Sequence, residues 1–220
     1  MKKKTRKVLA LGLMMTILFT NNSVSNAASY GSAMEKTLKY YRQGKYSKAE
    51  TYNKKLPKVI TENCVKKMSS GMKKAYLKVV KKYAAKKDKD LGISYLWDYF
   101  LTDIDNDKKA DLLLKYGTCE ADVKLIVFQY KKGKAVRTGS TYAGNTSFFA
   151  YPDHKGIVAQ QAHMGCESIS VVTFKKGRLV YTNSAGRGVG DADYFALRGA
   201  LKPHMVYKEG KSYISYKDLK

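Results

Sequence analysis

The sequence predicts an α+β protein, in which an N-terminal helical hairpin and a basic helix pack on an antiparallel β-meander made of two blade-like units. Three observations predict it. Apolar residues recur at helical spacing before about residue 92, then alternate or run β-branched from Tyr95 onward. The β half contains an approximate internal repeat. Lys-Gly or related turn pairs separate several of its runs, as hairpins require.

The chain opens on Lys2, Lys3, Lys4, Arg6 and Lys7, followed by the uncharged run Val8 to Thr20 and by Ser25-Asn26-Ala27-Ala28. A basic start, an apolar stretch of about 7–15 residues and a small-residue site make a cleavable secretory signal. The run is shorter than the roughly 20 apolar residues that a membrane span needs. Residues 1–27 are therefore expected to be a signal peptide, 28–92 a helical region and 93–220 a β-repeat domain. The expected location is extracellular, released or associated with the cell wall.

The full chain carries 42 Lys and Arg against 18 Asp and Glu, for a net charge of +24. Subtracting the five cations of the leader leaves about +19. Such an excess favours polyanions such as wall polymers, acidic glycans or anionic lipid surfaces. Most of the cations are Lys, which gives a diffuse hydrated field, whereas Arg gives bidentate recognition. Specific nucleic-acid reading is accordingly not expected.

In the helical region Met34, Leu38 and Tyr41 share one face, Gly44 breaks the run, and Ser47 is expected to cap a second helix carrying Ala49, Tyr52 and Leu56. The segment Tyr40 to Ala49 resembles the turn of one tetratricopeptide-type unit, and a single copy implies a helical hairpin only. Pro57 restarts the chain. A further helix follows Ser69 or Ser70, with Met72, Tyr76, Val79, Val80 and Tyr83 on one face. Lys73, Lys74, Lys78, Lys81, Lys82, Lys86 and Lys87 cover the rest and are the candidate polyanion-binding residues. A basic amphipathic stripe of this kind either lies on a membrane surface or packs its apolar side on the β domain.

Strands are expected over Ala110 to Lys115, Val123 to Tyr130, Ala135 to Thr138, Ile157 to Ala162, Ser168 to Phe174 and Leu179 to Thr182. The repeat sets Tyr116-Gly117-Thr118-Cys119-Glu120 against Met164-Gly165-Cys166-Glu167, and Phe128 to Val136 against Val172 to Val180. It also sets Tyr99 to Asp103 against Phe148 to Asp153. Two such units are what propeller blades look like in sequence. A last hairpin is expected around Tyr207 to Tyr213, a short helix over Asp191 to Leu201, and a mobile Gly-rich loop over Ala185 to Asp191.

Running into the first of these strands is Asp103-Ile104-Asp105-Asn106-Asp107-Lys108-Lys109-Ala110-Asp111. Carboxylates at positions 1, 3 and 5 converge when the backbone curls, Lys109 can lend its carbonyl at position 7, and Asp111 completes the set at position 9. Calcium takes about six to eight hard oxygens in such an arrangement. Four crowded carboxylates without a cation repel one another, in a chain that otherwise avoids acids; without an ion the same residues make an acidic surface turn. The EF-hand pattern asks for Gly at position 6 and Glu at position 12, where this chain has Lys108 and Leu114.

The loop, with Tyr99 to Leu113 and the following Tyr-Gly-Thr-Cys-Glu-Ala-Asp, resembles the Asp-rich turns of FG-GAP and VCBS-type β repeats of secreted Gram-positive proteins. That resemblance implies a blade-like fold and a structural calcium ion, and little about activity. Lys108 and Lys109 beside the carboxylates point to a weak site, near the about 10⁻⁴–10⁻³ M of extracellular modules.

The three cysteines suit one disulfide and one leftover thiol. Cys119 and Cys166 hold matching places in the two units and are the first candidate pair; Cys64 with either of them is the other. His163 and Cys166 invite a thiol or zinc reading, with no second pair at ligand spacing to support it. Glu120, Asp122 and Glu167 are the carboxylates to weigh for glycoside cleavage, against a structural role at turns. Two functions follow. One is a secreted, calcium-binding, non-catalytic protein that binds cell-surface or extracellular polyanions. The other is an extracellular hydrolase of wall or matrix polymers with structural calcium.

Overall fold

The computed structural model describes residues 30–90, 92–190, 194–208 and 211–220. The expected signal peptide, residues 1–27, lies outside these described residues. The chain begins with a helix over residues 30–42 (α1), followed by α2 (Tyr46–Asn53), β1 (Val59–Ile60), the single turn α3 (Asn63–Lys66) and α4 (Ser70–Ala84). The strands β2 (Leu96–Thr102), β3 (Asp111–Tyr116), β4 (Lys124–Lys131) and β5 (Lys134–Tyr142) form an antiparallel four-stranded sheet in sequence order. Then β6 (Thr146–Phe149), β7 (Ile157–His163), β8 (Cys166–Lys175) and β9 (Arg178–Gly188) repeat that meander. The second sheet is extended at its β6 edge by β10 (Ala200–Leu201) and, beyond it, β1. A hairpin, β11 (Met205–Lys208) with β12 (Lys211–Ile214), and a 3-10 turn at Lys217–Leu219 close the described chain.

The alternation read from the sequence decides how these pieces stack. On the first sheet Phe100, Leu113, Leu125 and Val127 point one way and meet Phe148, Ile157, Ala159 and Val172 of the second sheet. Tyr99, Leu101, Leu112, Leu114 and Ile126 point the other way and bury Met72, Tyr76 and Val80 of α4. On the outer side of the second sheet Phe149, Val158, Ile169 and Val171 take Met34, Leu38, Tyr41 and Leu56 from the helical hairpin. The protein is thus a four-layer stack: hairpin, second sheet, first sheet, α4. Two antiparallel meanders match the expected β half, and the inner strands β3 and β4 of the first sheet and β7 and β8 of the second bury both faces because a helix layer covers the outside.

Local chemistry explains the boundaries. Ser69 caps α4, its hydroxyl accepting the Met72 amide at 3.2 Å. Ser69→Ala is expected to cost about 1 kcal/mol, measurable by urea unfolding. The turns Lys132-Gly133 and Lys176-Gly177 hold positive φ at both residues, 49° and 79° in the first, 52° and 75° in the second. That is the type I′ geometry whose twist suits a two-residue hairpin.

Three expectations are corrected. Lys45, without a side-chain bond, stands at the N-cap of α2 in place of Ser47, which lies inside the first turn with its carbonyl accepting Thr51 Oγ1 at 3.1 Å. Residues 194–199 are irregular and Ala200–Leu201 is strand rather than helix; residues 191–193 are outside the described set. Phe195 and Leu197 are both buried against the hairpin there, and the Leu197 amide turns back to the Phe195 carbonyl at 2.8 Å. Ala185 to Gly188, expected as a loop, continues β9, paired with Ile169 through Cys166.

Candidate functional site

The Asp-rich segment links β2 to β3 and curls under its own hydrogen bonds. The Asp103 carboxylate accepts the amides of Asp107 at 3.0 Å and Lys108 at 2.7 Å. Asp111, the first residue of β3, accepts the Ile104 amide at 3.1 Å. Asp105 accepts Gln129 Nε2, from β4, at 2.6 Å. These bonds draw carboxylate oxygens of Asp103, Asp105 and Asp111 to within 4.8 Å of one another.

Asp107 lies outside this trio, since its carboxylate accepts both the amide and the ammonium of Lys109 at 2.8 and 3.0 Å. The structure therefore gathers three of the four aspartates. At Lys109 it shows an amide donor and a cation, both turned to Asp107.

Burial and mutual repulsion show in the acidities. Asp111 is 3% exposed, and burial, followed by the charge of Asp105, pushes its carboxyl up to about 8. Burial raises Asp103 as well. A cation among the trio would favour the charged carboxylates and so offset both effects, and the donor set suits a hard ion such as calcium because every donor is a carboxylate oxygen. Three carboxylates supply fewer oxygens than calcium takes, so loop carbonyls or water would complete the shell.

Two residues of the loop adopt left-handed backbone: Asn106 at φ 62° and Lys108 at φ 68°. Lys108 stands where an EF-hand has Gly, and the positive φ is the conformation that Gly would accept without strain. Its ammonium pairs with Asp153 at 3.1 Å, but both side chains are more than half exposed, so that pair contributes little. Lys108→Gly is therefore expected to stabilise the protein by about 1 kcal/mol and to tighten any cation site by removing a nearby positive charge. Chemical denaturation and a calcium titration of the variant check both parts.

Sequence reasoning missed Glu62. It flanks α3, and its carboxylate accepts Thr102 Oγ1 at 2.8 Å and the Asp103 amide at 2.9 Å, clamping the start of the loop. The available signal was local, for Glu62 is the single acid between Glu50 and Asp88. The Cys64 thiol also donates to Glu62 at 3.4 Å. Burial, then the Glu62 charge, pushes this thiol far above the ordinary cysteine range, which leaves it a poor nucleophile. A cavity of about 310 Å³ opens beside the loop, lined by Glu62, Cys64, Lys66, Asp103 and Asp153 among others.

Among the other candidates, Glu120 lines a second cavity together with Gln160 and Phe195, two partners of Glu167. The three cysteines are free thiols, with Cys119 and Cys166 exposed. The expected bridge between them is not formed; Cys119 sits in the β3–β4 connection of one sheet and Cys166 at the start of β8 in the other. Glu167 is fully buried and paired with Arg187 at 2.6 Å. Glu120 accepts the Asn145 amide, and Asp122 accepts the amides of Thr118 and Cys119. All three carboxylates thus hold the fold together, Asp122 within its own turn and the other two across the chain. His163 pairs with Cys166 as the last residues across the β7–β8 hairpin.

On α4, Lys74, Lys78, Lys81 and Lys82 are exposed, while Lys73 is half-buried and donates to the Lys220 carbonyl at 3.1 Å. Lys86 and Lys87 lie just past the helix end, also exposed; Lys86 rests over the Tyr83 and Tyr116 rings at 5.5 and 5.9 Å. The apolar face that a membrane-surface helix would insert is used by the first sheet. Among the described residues no helix is long and apolar enough to cross a membrane.

Comparison of the chain with family models, with curated proteins and with solved structures gave no match.

Proposed function

We propose that this is an exported, non-catalytic protein whose Asp loop holds a structural calcium ion and whose lysine-rich helix α4 binds extracellular polyanions. The observation that carries the cation is the convergence of Asp103, Asp105 and Asp111 within 4.8 Å in a chain whose net charge is +24. Export is read from the basic, apolar leader. The likeness of the loop to FG-GAP and VCBS-type turns supports calcium over other ions.

Calcium here acts on folding. It offsets the mutual repulsion of the trio at the joint between β2 and β3, a joint tied to β4 through Gln129 and to the helical segment through Glu62. Binding that needs the curled loop contributes its free energy to the folded state. A hydrolase reading would need Glu120, Glu167 and His163 to share a cleft with free carboxylates, whereas Glu120 accepts the Asn145 amide and Glu167 is buried in its pair with Arg187.

Equilibrium dialysis of calcium against the mature protein tests the cation. One ion per chain is expected, with Kd near about 10⁻⁴–10⁻³ M, lost in Asp103→Asn. Binding that survives in that variant, or none in the wild type, would overturn the assignment.

A further inference from the structure

We propose that the helical hairpin carries a second polyanion-binding face, on the opposite side of the molecule from α4, so that one chain can bridge two strands of a linear polyanion. This rests on the reading of α4 as a polyanion contact and extends it to a surface that composition alone does not single out.

The hairpin presents an organised cluster of cations. Tyr40 of α1 and Tyr52 of α2 stack with ring centroids 5.5 Å apart and planes 13° from parallel. Lys36 and Lys55 place their ammonium groups 5.3 and 5.0 Å from the Tyr52 ring centroid, and Lys48 lies 5.3 Å from that of Tyr40. All three lysines are exposed. The negative ring faces hold neighbouring cations that would otherwise repel one another.

The two acids of the hairpin have other partners, one within α2 and one on a neighbouring loop. Glu50 accepts Asn53 Nδ2 at 3.0 Å, and Glu35 faces His154 at 3.8 Å. The tyrosine faces are already taken by each other and by lysine, so the cluster offers fixed positive charge rather than a platform for bases or sugars. Ammonium groups bind phosphate-type oxygens as point charges. A flexible linear polyanion with closely spaced charges is the partner that complements it.

The layer order gives this cluster its consequence. The hairpin covers the outer side of the second sheet and α4 the outer side of the first, with the two sheets face to face between them. The two basic faces therefore point away from each other. A short polyanion can occupy one face only, and a long one can link molecules.

The test uses the mature protein and monodisperse short-chain polyphosphate, followed by calorimetric titration. Two binding steps are expected for the wild type. Lys36→Gln/Lys48→Gln/Lys55→Gln should lose one step, and Lys74→Gln/Lys78→Gln/Lys82→Gln should lose the other. With long-chain polyphosphate, light scattering should rise for the wild type and stay low for both triple variants. Exposed lysines can be changed without disturbing the core, and circular dichroism checks this. If the hairpin triple variant keeps the wild-type stoichiometry while the α4 variant loses binding, the second face is refuted and the α4 reading stands. If the wild type binds no polyphosphate at low salt, the polyanion reading itself fails, and this inference with it.

Discussion

Glu167→Ala is expected to lower the unfolding free energy by about 3–5 kcal/mol, the range for breaking a buried ion pair from one side. The carboxylate has 0% side-chain exposure and accepts Arg187 Nε from β9 at 2.6 Å. It also accepts Tyr41 Oη from α1 at 3.0 Å, Gln160 Nε2 from β7 at 3.1 Å and the Phe195 amide at 2.7 Å. Four parts of the chain thus meet on one side chain, and together they fasten the hairpin to the second sheet. Alanine would leave these donors without their acceptor in a buried site. Tyr41 stays a donor at any ordinary pH, because burial and then the Glu167 hydrogen bond raise its hydroxyl far above the usual tyrosine value. Tyr41→Phe, which deletes only one donor, is expected to cost about 1 kcal/mol. Urea unfolding of the two variants checks the ratio. Equal losses would mean that the carboxylate is no hub.

Asp111→Asn is expected to act in opposite directions with and without calcium. In the cation-free protein the carboxyl titrates near 8, above its unfolded value of about 3.9. A group raised on folding stabilises the fold when protonated. Its contribution is full below pH about 4 and is lost as pH rises through about 8. Cation-free protein should therefore unfold at a lower temperature at pH 8 than at pH 5 through this group. Asparagine keeps a side-chain oxygen for the Ile104 amide, a bond of 3.1 Å in the wild type, and carries no charge. The variant should be more stable than the wild type in EDTA at pH 8, with a flatter pH profile, and should gain nothing from calcium. Thermal unfolding across that pH range, in EDTA and in calcium, measures all three effects.

Much of the fold was legible because apolar and β-branched runs separated by Lys-Gly turns mark the strands. Leu112, Leu113 and Leu114 go alternately to the α4 core and the inter-sheet core, and the repeat places equivalent turns at equivalent edges of the two sheets. The face-to-face stacking was not legible, because the inner strands of these sheets bury both sides and the pattern cannot say which layer covers which. Over residues 194–201 the expected helix failed for a similar reason, since Phe195 and Leu197 are buried two apart just ahead of β10, an inner strand of the second sheet. At the Asp loop, carboxylate spacing foretold the trio of Asp103, Asp105 and Asp111. It could not foretell that Lys109 would draw Asp107 away, or that Glu62, forty-one residues upstream of Asp103, would clamp the loop. Contacts of that range depend on how α3 docks against β2.

The central claim is that the Asp loop is a structural cation site. Its most direct test is thermal unfolding of the mature protein in EDTA and across a calcium series, beside Asp103→Asn/Asp105→Asn. The midpoint should rise as calcium passes through about 10⁻⁴–10⁻³ M, and the double variant should show no rise. An unchanged wild-type midpoint at several times about 10⁻³ M calcium, or an equal rise in the double variant, would contradict the claim and leave the aspartates an acidic surface turn.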